Sequence, residues 1–241
     1  MAEGEGREDP MPPPEVLRGK RRKTCRRAFT LVEILVGKNV APGFFAWILP
    51  CGDVTRVGLG VPQDGEAPVH YLNALLKKRG LDKVGRKNII SGIIPIGPPR
   101  KTYADNVLIV GDAAAQAKPV SGGGIYTGMR AAKWAALTAV DAVEEGDLSA
   151  KRLSEYDDRW RSDIGRELDR GLMIRKVFTN LTDKKLDDVG RMLDRDDAKE
   201  VLATGDIDYP SKLASPLLKA VPSLIKFSPQ LIGSLIRKEQ R

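Results

Sequence analysis

Apolar and polar positions follow two different patterns along the chain. In the first part, short apolar or alternating segments are separated by Pro42-Gly43 and Gly52-Asp53, which predicts an antiparallel meander. Beyond residue 149, apolar residues recur three and four positions apart, which predicts a helical region. We therefore predict strands at 31–36, 44–49, 54–61 and 89–95, and helices at 67–79, 125–143, 153–164, 166–180, 184–194 and 196–204.

A buried strand that ends on an acid is predicted before the long central helix. Val107 to Val110 are four branched apolar residues, the composition of a strand covered on both faces. Gly111 allows a tight turn, and Asp112 then places a carboxylate at the carboxyl edge of the sheet, where ligands of open α/β sheets bind. A carboxylate there suits the hydroxyl groups of a ribose or ribityl chain. An ordinary turn after a strand is the alternative explanation.

A glycine-rich helix start follows this strand. Gly122, Gly123 and Gly124 remove side chains where an alanine-rich helix is predicted to begin, so backbone N–H groups and the positive end of the helix dipole can face an anion. Gly128 lies one turn later and permits close packing or close approach of a ligand. Three glycines also fit an irregular loop, so the preceding strand is what favours a phosphate-bearing cofactor.

These motifs resemble those of a known family. Gly111-Asp112-Ala113-Ala114, followed by Pro119-x-x-Gly122-x-Gly124-x-x-x-Gly128, resembles the C-terminal FAD motif of glutathione-reductase-type flavoproteins. The resemblance is greatest to their geranylgeranyl reductase branch, which saturates isoprenoid chains. The preceding segment Phe45-x-Trp47-x-x-Pro50 is similar to a hairpin of that branch. The resemblance covers residues 30 to 205.

The resemblance implies a fold and a set of site residues. It implies an α/β (α+β) chain: the C-terminal part of an FAD-binding glutathione-reductase-type fold, with an antiparallel substrate-domain sheet and a helical C-terminal region. The substrate would be a prenyl lipid. FAD would be held by Gly111, Asp112, Pro119, Gly122, Gly123, Gly124 and Gly128, with substrate binding by Phe45, Trp47 and Pro50. Phe45 and Trp47 alternate on a strand and so share a face, either in the core or along an apolar tunnel. No catalytic proton donor is identified.

Part of such a flavoprotein has no counterpart in this sequence. The Gly-x-Gly-x-x-Gly turn that binds the ADP half of FAD is absent. We expect a split or truncated reductase, a misplaced start, or a second chain that supplies the missing half. The alternatives are another FAD-dependent monooxygenase or dehydrogenase of the superfamily, and a noncatalytic partner subunit. The expected organisation is 1–28 disordered and basic, 29–100 a partial substrate-domain sheet, 101–148 the C-terminal part of the FAD-binding domain, and 149–241 helical.

The charge distribution argues against a nucleic-acid-binding domain. The net charge of +8 comes from the two ends of the chain, and the middle is neutral. Residues 18–27 carry seven Lys or Arg, which suits an anionic membrane or nucleic acid, or a solvated tail. The C-terminal segment 213–236 alternates apolar and basic residues between prolines, so it either lies at a membrane interface or caps the substrate domain.

The cysteines and the histidine exclude several kinds of site. Cys25 and Cys51 lack the spacing of a metal or disulfide framework, and the single histidine, His70, is predicted to be structural. A zinc hydrolase and a histidine-dependent triad are therefore disfavoured. The sequence shows no signal peptide and no spanning helix, so we expect a cytoplasmic protein with peripheral contact at the inner membrane face as an option.

Overall fold

The computed structural model describes residues 31–52, 54–85 and 88–227. Within these residues the chain combines helix and sheet and has a helical C-terminal region, as predicted. A three-stranded sheet and one helix come first, and a two-stranded sheet and a long helix follow. Shorter helices complete the described chain.

The predicted meander is confirmed. Strands β1 (Glu33–Val36), β2 (Phe45–Cys51) and β3 (Val54–Leu59) form an antiparallel sheet in the order β1-β2-β3. Helix α1 (Pro68–Lys78) matches the predicted helix at 67–79 and packs on this sheet. Their shared core contains the buried residues Ala41, Ala46 and Leu75.

Two predicted strands are wrong in extent. The predicted strand at 107–110 is only β5 (Val107–Leu108), paired with β4 (Tyr103–Ala104), and Val107 is 44% exposed instead of covered on both faces. The predicted strand at 89–95 does not form, and Ile90 is 94% exposed. Branched apolar composition favours extended backbone, but a strand also needs a pairing partner, and composition does not reveal that partner.

The predicted helices are confirmed within a few residues. They are α2 (Ile125–Glu145), α3 (Ala150–Trp160), α4 (Arg166–Asn180), α5 (Asp183–Leu193) and α6 (Asp196–Ala203). A π-helical turn joins α3 to α4. A second core lies between α2 and the α3–α4 pair, with Ala131 and Ala135 against Tyr156, Trp160, Ile164 and Leu168.

The last described residues form α7 (Ala214–Ala220) between two 3-10 turns. The predictions for 1–28 and for 228–236 lie outside the described residues. His70 is exposed on α1, and its ring meets the Tyr71 ring edge-on with centroids 5.6 Å apart; its structural role stays a prediction. Across 31–52, 54–85 and 88–227, no helix has both the length and the apolar composition needed to cross a membrane.

Candidate functional site

The turn after β5 is fixed by buried side chains. Gly111 has φ +71° and begins a 3-10 turn, Gly111–Ala114. The fully buried Gln116 accepts a hydrogen bond from the Gly111 N–H at 2.7 Å and donates one to the Tyr156 hydroxyl at 3.0 Å. That hydroxyl in turn donates to the Ile109 carbonyl at 2.8 Å. Helix α3 thus holds the end of the strand in place.

A closed loop leads from this turn into α2. In this glycine loop (residues 118–124), the Lys118 N–H donates to the Gly123 carbonyl at 3.0 Å, and the Gly122 N–H donates to the Lys118 carbonyl at 2.8 Å. Gly122 has φ +70°, a conformation that L side chains rarely adopt. Helix α2 begins at Ile125, directly after the glycines, as predicted. In the described part of the chain the Gly124 N–H has no acceptor.

The structure brings the predicted glycines and the acid together. A Cβ on Gly124 would lie 2.4 Å from Asp112 Oδ1, and one on Gly128 would lie 3.5 Å from the Cα of Gly111. Asp112 is exposed, and its carboxylate has no hydrogen-bond donor among the described residues. A free carboxylate and a free backbone N–H therefore lie side by side at the start of a 21-residue helix.

Residues far along the chain brace the glycine loop, and sequence reasoning missed them. The Lys118 ammonium is 8% exposed and donates to Asp208 Oδ1 at 2.8 Å and to the Ile207 carbonyl at 3.0 Å. The Tyr126 and Tyr209 hydroxyls are 3.1 Å apart. This hydrogen bond, with burial, raises the pKa of Tyr209 to about 12. No local pattern in the sequence marks these contacts, since they join positions about 90 residues apart.

An open cavity of about 330 Å³ lies beside this brace. Its lining comes from the glycine loop, the first turn of α2 and one distant acid: Lys118, Gly123, Gly124, Ile125, Tyr126, Met129 and Asp208. Among these lining residues, Tyr126 is the one whose side chain carries a hydroxyl group.

Helix α4 supports the same loop from another side. A Cβ on Gly171 would lie 2.9 Å from Pro119 Cδ, so this position admits no side chain without a shift. Arg175 Nη1 donates to the Pro119 carbonyl at 3.2 Å. One turn before Gly171, Glu167 accepts a hydrogen bond from the Ser211 N–H at 2.9 Å. Pro119 thus lies between the glycines and α4.

The aromatic residues of the hairpin reach the glycine loop through Phe44. Its Cζ would lie 3.2 Å from a Cβ on Gly122. Phe44 and Phe45 stack with ring centroids 4.4 Å apart, and Phe45 meets Trp47 edge-on at 6.0 Å. The shared face of Phe45 and Trp47 is thus confirmed, and both are half-buried. Sequence reasoning missed Phe44, although its place next to Phe45 in an aromatic pair was a usable signal.

Two other predicted features lie apart from this assembly. Pro50 lies near the far end of β2, opposite Thr55 of β3. Cys51, next to it, is a half-buried free thiol. No group of three or more His, Cys, Asp or Glu side chains suited to a metal ion occurs among the residues the structure describes.

Comparisons with known proteins identify relatives. No family model matches the chain. Digeranylgeranylglycerophospholipid reductase 2 of Methanothermobacter thermautotrophicus is 35% identical over 191 residues, which are 76% of this chain and 49% of that protein. Digeranylgeranylglycerophospholipid reductase of Methanocaldococcus jannaschii is 34% identical over 211 residues, or 84% of this chain and 51% of that protein.

A solved structure shares the fold. The crystal structure of a geranylgeranyl bacteriochlorophyll reductase-like protein from Thermoplasma acidophilum aligns with a TM-score of 0.67 at 21% identity, covering 86% of this chain and 50% of that one. The chain therefore spans about half the length of the relatives it matches.

Proposed function

Because the chain belongs to the geranylgeranyl reductase family and spans about half of its curated members, we propose that it is the flavin- and lipid-contacting part of a prenyl reductase. The reaction would be reduction of double bonds in the geranylgeranyl chains of isoprenoids or membrane lipids, with FAD as the cofactor and a glutathione-reductase-type fold as the frame. The observation that carries this proposal is the position of the glycine loop, which adjoins Asp112 at Gly124 and Phe44 at Gly122.

The residues present fit a flavin dinucleotide. The unpaired Asp112 carboxylate suits a polyhydroxyl chain, and the Gly124 N–H at the start of α2 suits a phosphate oxygen. A Cβ on Gly124 would collide with Asp112 Oδ1, so glycine at this position keeps the carboxylate in place. In this proposal Gly111, Pro119, Gly122 and Gly123 shape the loop around the cofactor, and Gly128 packs beside the turn at Gly111, where the Cβ of an alanine would make an ordinary contact.

When bound in its reduced form, the flavin would supply a hydride to the double bond, a proton would complete the reduction, and the protein would supply orientation and an apolar surface. An alkene carries no charge that a hydrogen-bond donor could stabilise, so placing the double bond is the main task of the side chains. Phe44, Phe45 and Trp47 present a continuous aromatic face next to the glycine loop, and this face would hold the prenyl chain and exclude water.

The outer face of α2 supports a second chain or segment that carries the ADP-binding half. Its apolar stripe consists of residues at helical spacing that are 44–84% exposed: Ile125, Met129, Leu137, Val140 and Val143. Contiguous exposed apolar surface rimmed by polar residues is typical of an interaction site. The relatives are about twice as long as the aligned region. The half that this chain does not span is therefore the partner proposed to cover the stripe. Peripheral membrane contact is part of the same proposal, since prenyl lipids reside in bilayers.

The visible absorption spectrum of the purified chain tests flavin binding. After addition of FAD and removal of the excess, we expect retained flavin bands, alone or once the missing half is supplied in trans. Asp112→Asn should lower the retained fraction, because the amide has one acceptor oxygen in place of two and no charge to strengthen the hydrogen bonds from the hydroxyl groups. A protein that stays colourless in both settings would contradict the proposal and favour a noncatalytic subunit. Oxygen incorporation into a product upon NADPH oxidation would favour a monooxygenase instead.

A further inference from the structure

A second cavity lies on the other side of Phe44. It measures about 290 Å³ and lies between the segment before β2 and helices α4 and α5. Most of its walls are apolar, including Ala41, Pro42, Phe44, Phe178, Leu181 and Leu186. Because Phe44 also contacts Gly122, this cavity adjoins the glycine loop.

One cation in this cavity lacks a counter-ion. Arg175 is half-buried, and its guanidinium carbon lies 5.3 Å from the centroid of the Phe44 ring. Burial lowers its pKa from the ordinary arginine value. Its hydrogen-bond acceptor is the Pro119 carbonyl, and no carboxylate of the described chain pairs with it. A guanidinium has five N–H donors, so most of them remain available to a ligand.

A second cation lines the same cavity. The Lys38 ammonium forms no ion pair within the described part of the chain. The nearby acid is Asp183, which accepts a hydrogen bond from the Lys38 backbone N–H at 2.9 Å and does not line the cavity. The lining residues therefore carry two positive charges and no carboxylate.

We propose that Arg175 and Lys38 bind the phosphate of a prenyl lipid whose chain lies on the apolar walls of this cavity and passes Phe44. A partly desolvated cation without a counter-ion costs free energy, and an anionic group offsets that cost on binding. The apolar walls favour an amphiphile over a free anion. The inference rests on the proposed function for the prenyl nature of the chain, and on the cavity for the anionic group.

Binding of matched ligands tests this assignment. Farnesyl phosphate, farnesol and inorganic phosphate are titrated against the chain of 241 residues, with bound ligand measured by equilibrium dialysis. We expect farnesyl phosphate to bind about tenfold or more tightly than farnesol, as charge-assisted hydrogen bonds require. Inorganic phosphate at the same concentrations should compete weakly. Equal competition by inorganic phosphate would show a free-anion site and overturn the lipid part.

Variants identify the residues responsible. Arg175→Gln and Lys38→Gln should reduce the preference for the phosphate ester and leave farnesol affinity unchanged, and Arg175→Lys should retain part of it. Lys176→Gln is the matched control, because Lys176 is exposed on α4 and lies outside the cavity. A preference that survives in the Arg175→Gln, Lys38→Gln double variant overturns the assignment, as does a wild-type chain that binds both ligands equally or binds neither.

Flavin retention is recorded on the same samples. Loss of flavin binding in Arg175→Gln, with the phosphate ester preference intact, would assign this cation to the cofactor pyrophosphate instead. A chain that retains no flavin, either alone or with the missing half supplied in trans, but prefers the phosphate ester contradicts the proposed function and leaves the anion site standing. A chain that retains flavin without the preference does the reverse.

Discussion

Gly124 and Gly128 lie four residues apart, but an added methyl group meets different surroundings at each. At Gly124 the backbone is in a region open to any residue, with φ −112° and ψ −12°, so the obstacle is the Asp112 carboxylate 2.4 Å away. At Gly128 the neighbour is the Cα of Gly111 at 3.5 Å, an ordinary contact. Glycine at position 124 is thus needed to leave the Asp112 carboxylate in its place. At position 128 there is room for the Cβ of an alanine.

This difference predicts that two alanine substitutions change different properties of the protein. Gly128→Ala should raise the free energy of unfolding by about 0.5–1 kcal/mol, because alanine is the better helix former. Gly124→Ala should displace Asp112 and lower flavin retention. Thermal or denaturant unfolding and the flavin spectrum measure the two quantities. Loss of flavin in Gly128→Ala with Gly124→Ala unaffected would contradict this division of roles.

Sequence reasoning located the residues that act through backbone geometry. Gly111, Asp112 and Gly122 to Gly124 were predictable because glycine and acid patterns at a strand-to-helix junction are local. Lys118, Tyr126 and Arg175 were not, because their partners are Asp208, Tyr209 and Phe44, which adjoin them only after folding. Whether the glycines hold FAD stays a prediction.

At the scale of elements, α3 is fastened to β4 by one buried carboxylate. Asp157 Oδ1 accepts hydrogen bonds from Thr102 Oγ1 at 2.6 Å and Trp160 Nε1 at 3.2 Å, and its other oxygen pairs with Arg161. Burial by itself raises the pKa of this carboxyl group. The hydrogen bonds from Arg161, Thr102 and Trp160 and the positive charge of Arg161 outweigh burial, so the pKa lies below its ordinary value.

A pH dependence of stability follows from this shift. Because the folded state holds Asp157 at a lowered pKa, its contribution is complete above the unfolded pKa of about 3.9 and is lost as the pH falls through the lower folded value. Asp157→Asn should therefore cost about 1–3 kcal/mol of unfolding free energy at pH 7, and the difference from wild type should shrink below about pH 4. Denaturant titrations at pH 7 and pH 3 measure this.

Asp158→Asn is the matched control, because Asp158 is the exposed neighbour of Asp157 on the same helix. It should leave the unfolding free energy within about 0.5 kcal/mol of wild type at both pH values. An Asp157→Asn deficit that is independent of pH would show that packing, and not the charge, holds α3 to β4.

The elements themselves were predictable to different degrees. Helices such as α2 and α4 are specified by apolar residues three and four apart, a signal contained within each segment. The strands expected at 89–95 and 107–110 could not be predicted from a signal within the segment, because an extended segment becomes a strand only by pairing with a neighbouring strand. The β2–β3 pair was predicted correctly because the turn that joins the strands is marked locally by Gly52, which has φ +59°.

At the scale of the whole molecule, the apolar stripe on α2 is an uncovered apolar surface within the part of the chain that the structure describes. Val140 is 55% exposed, so Val140→Glu should change the stability of the isolated chain by less than about 0.5 kcal/mol. The same change should abolish co-purification with a polypeptide that carries the half of the relatives this chain does not span. Val69→Glu, on α1 and 49% exposed, is the matched control and should leave co-purification intact. Equal recovery with both variants would contradict the role of the stripe.

The π-helical turn Arg161–Gly165 joins α3 directly to α4. It sets how far the side chains of α4 are rotated about the helix axis relative to those of α3. Each residue of a regular helix rotates the next by about 100°, and a π turn inserts one residue beyond the regular repeat. If the regular helical repeat continued without the π turn, Gly171 would point about 100° away from Pro119, while Tyr156 on α3 would still pack in the same core. Five residues that line neither cavity thus determine which face of α4 contacts the glycine loop.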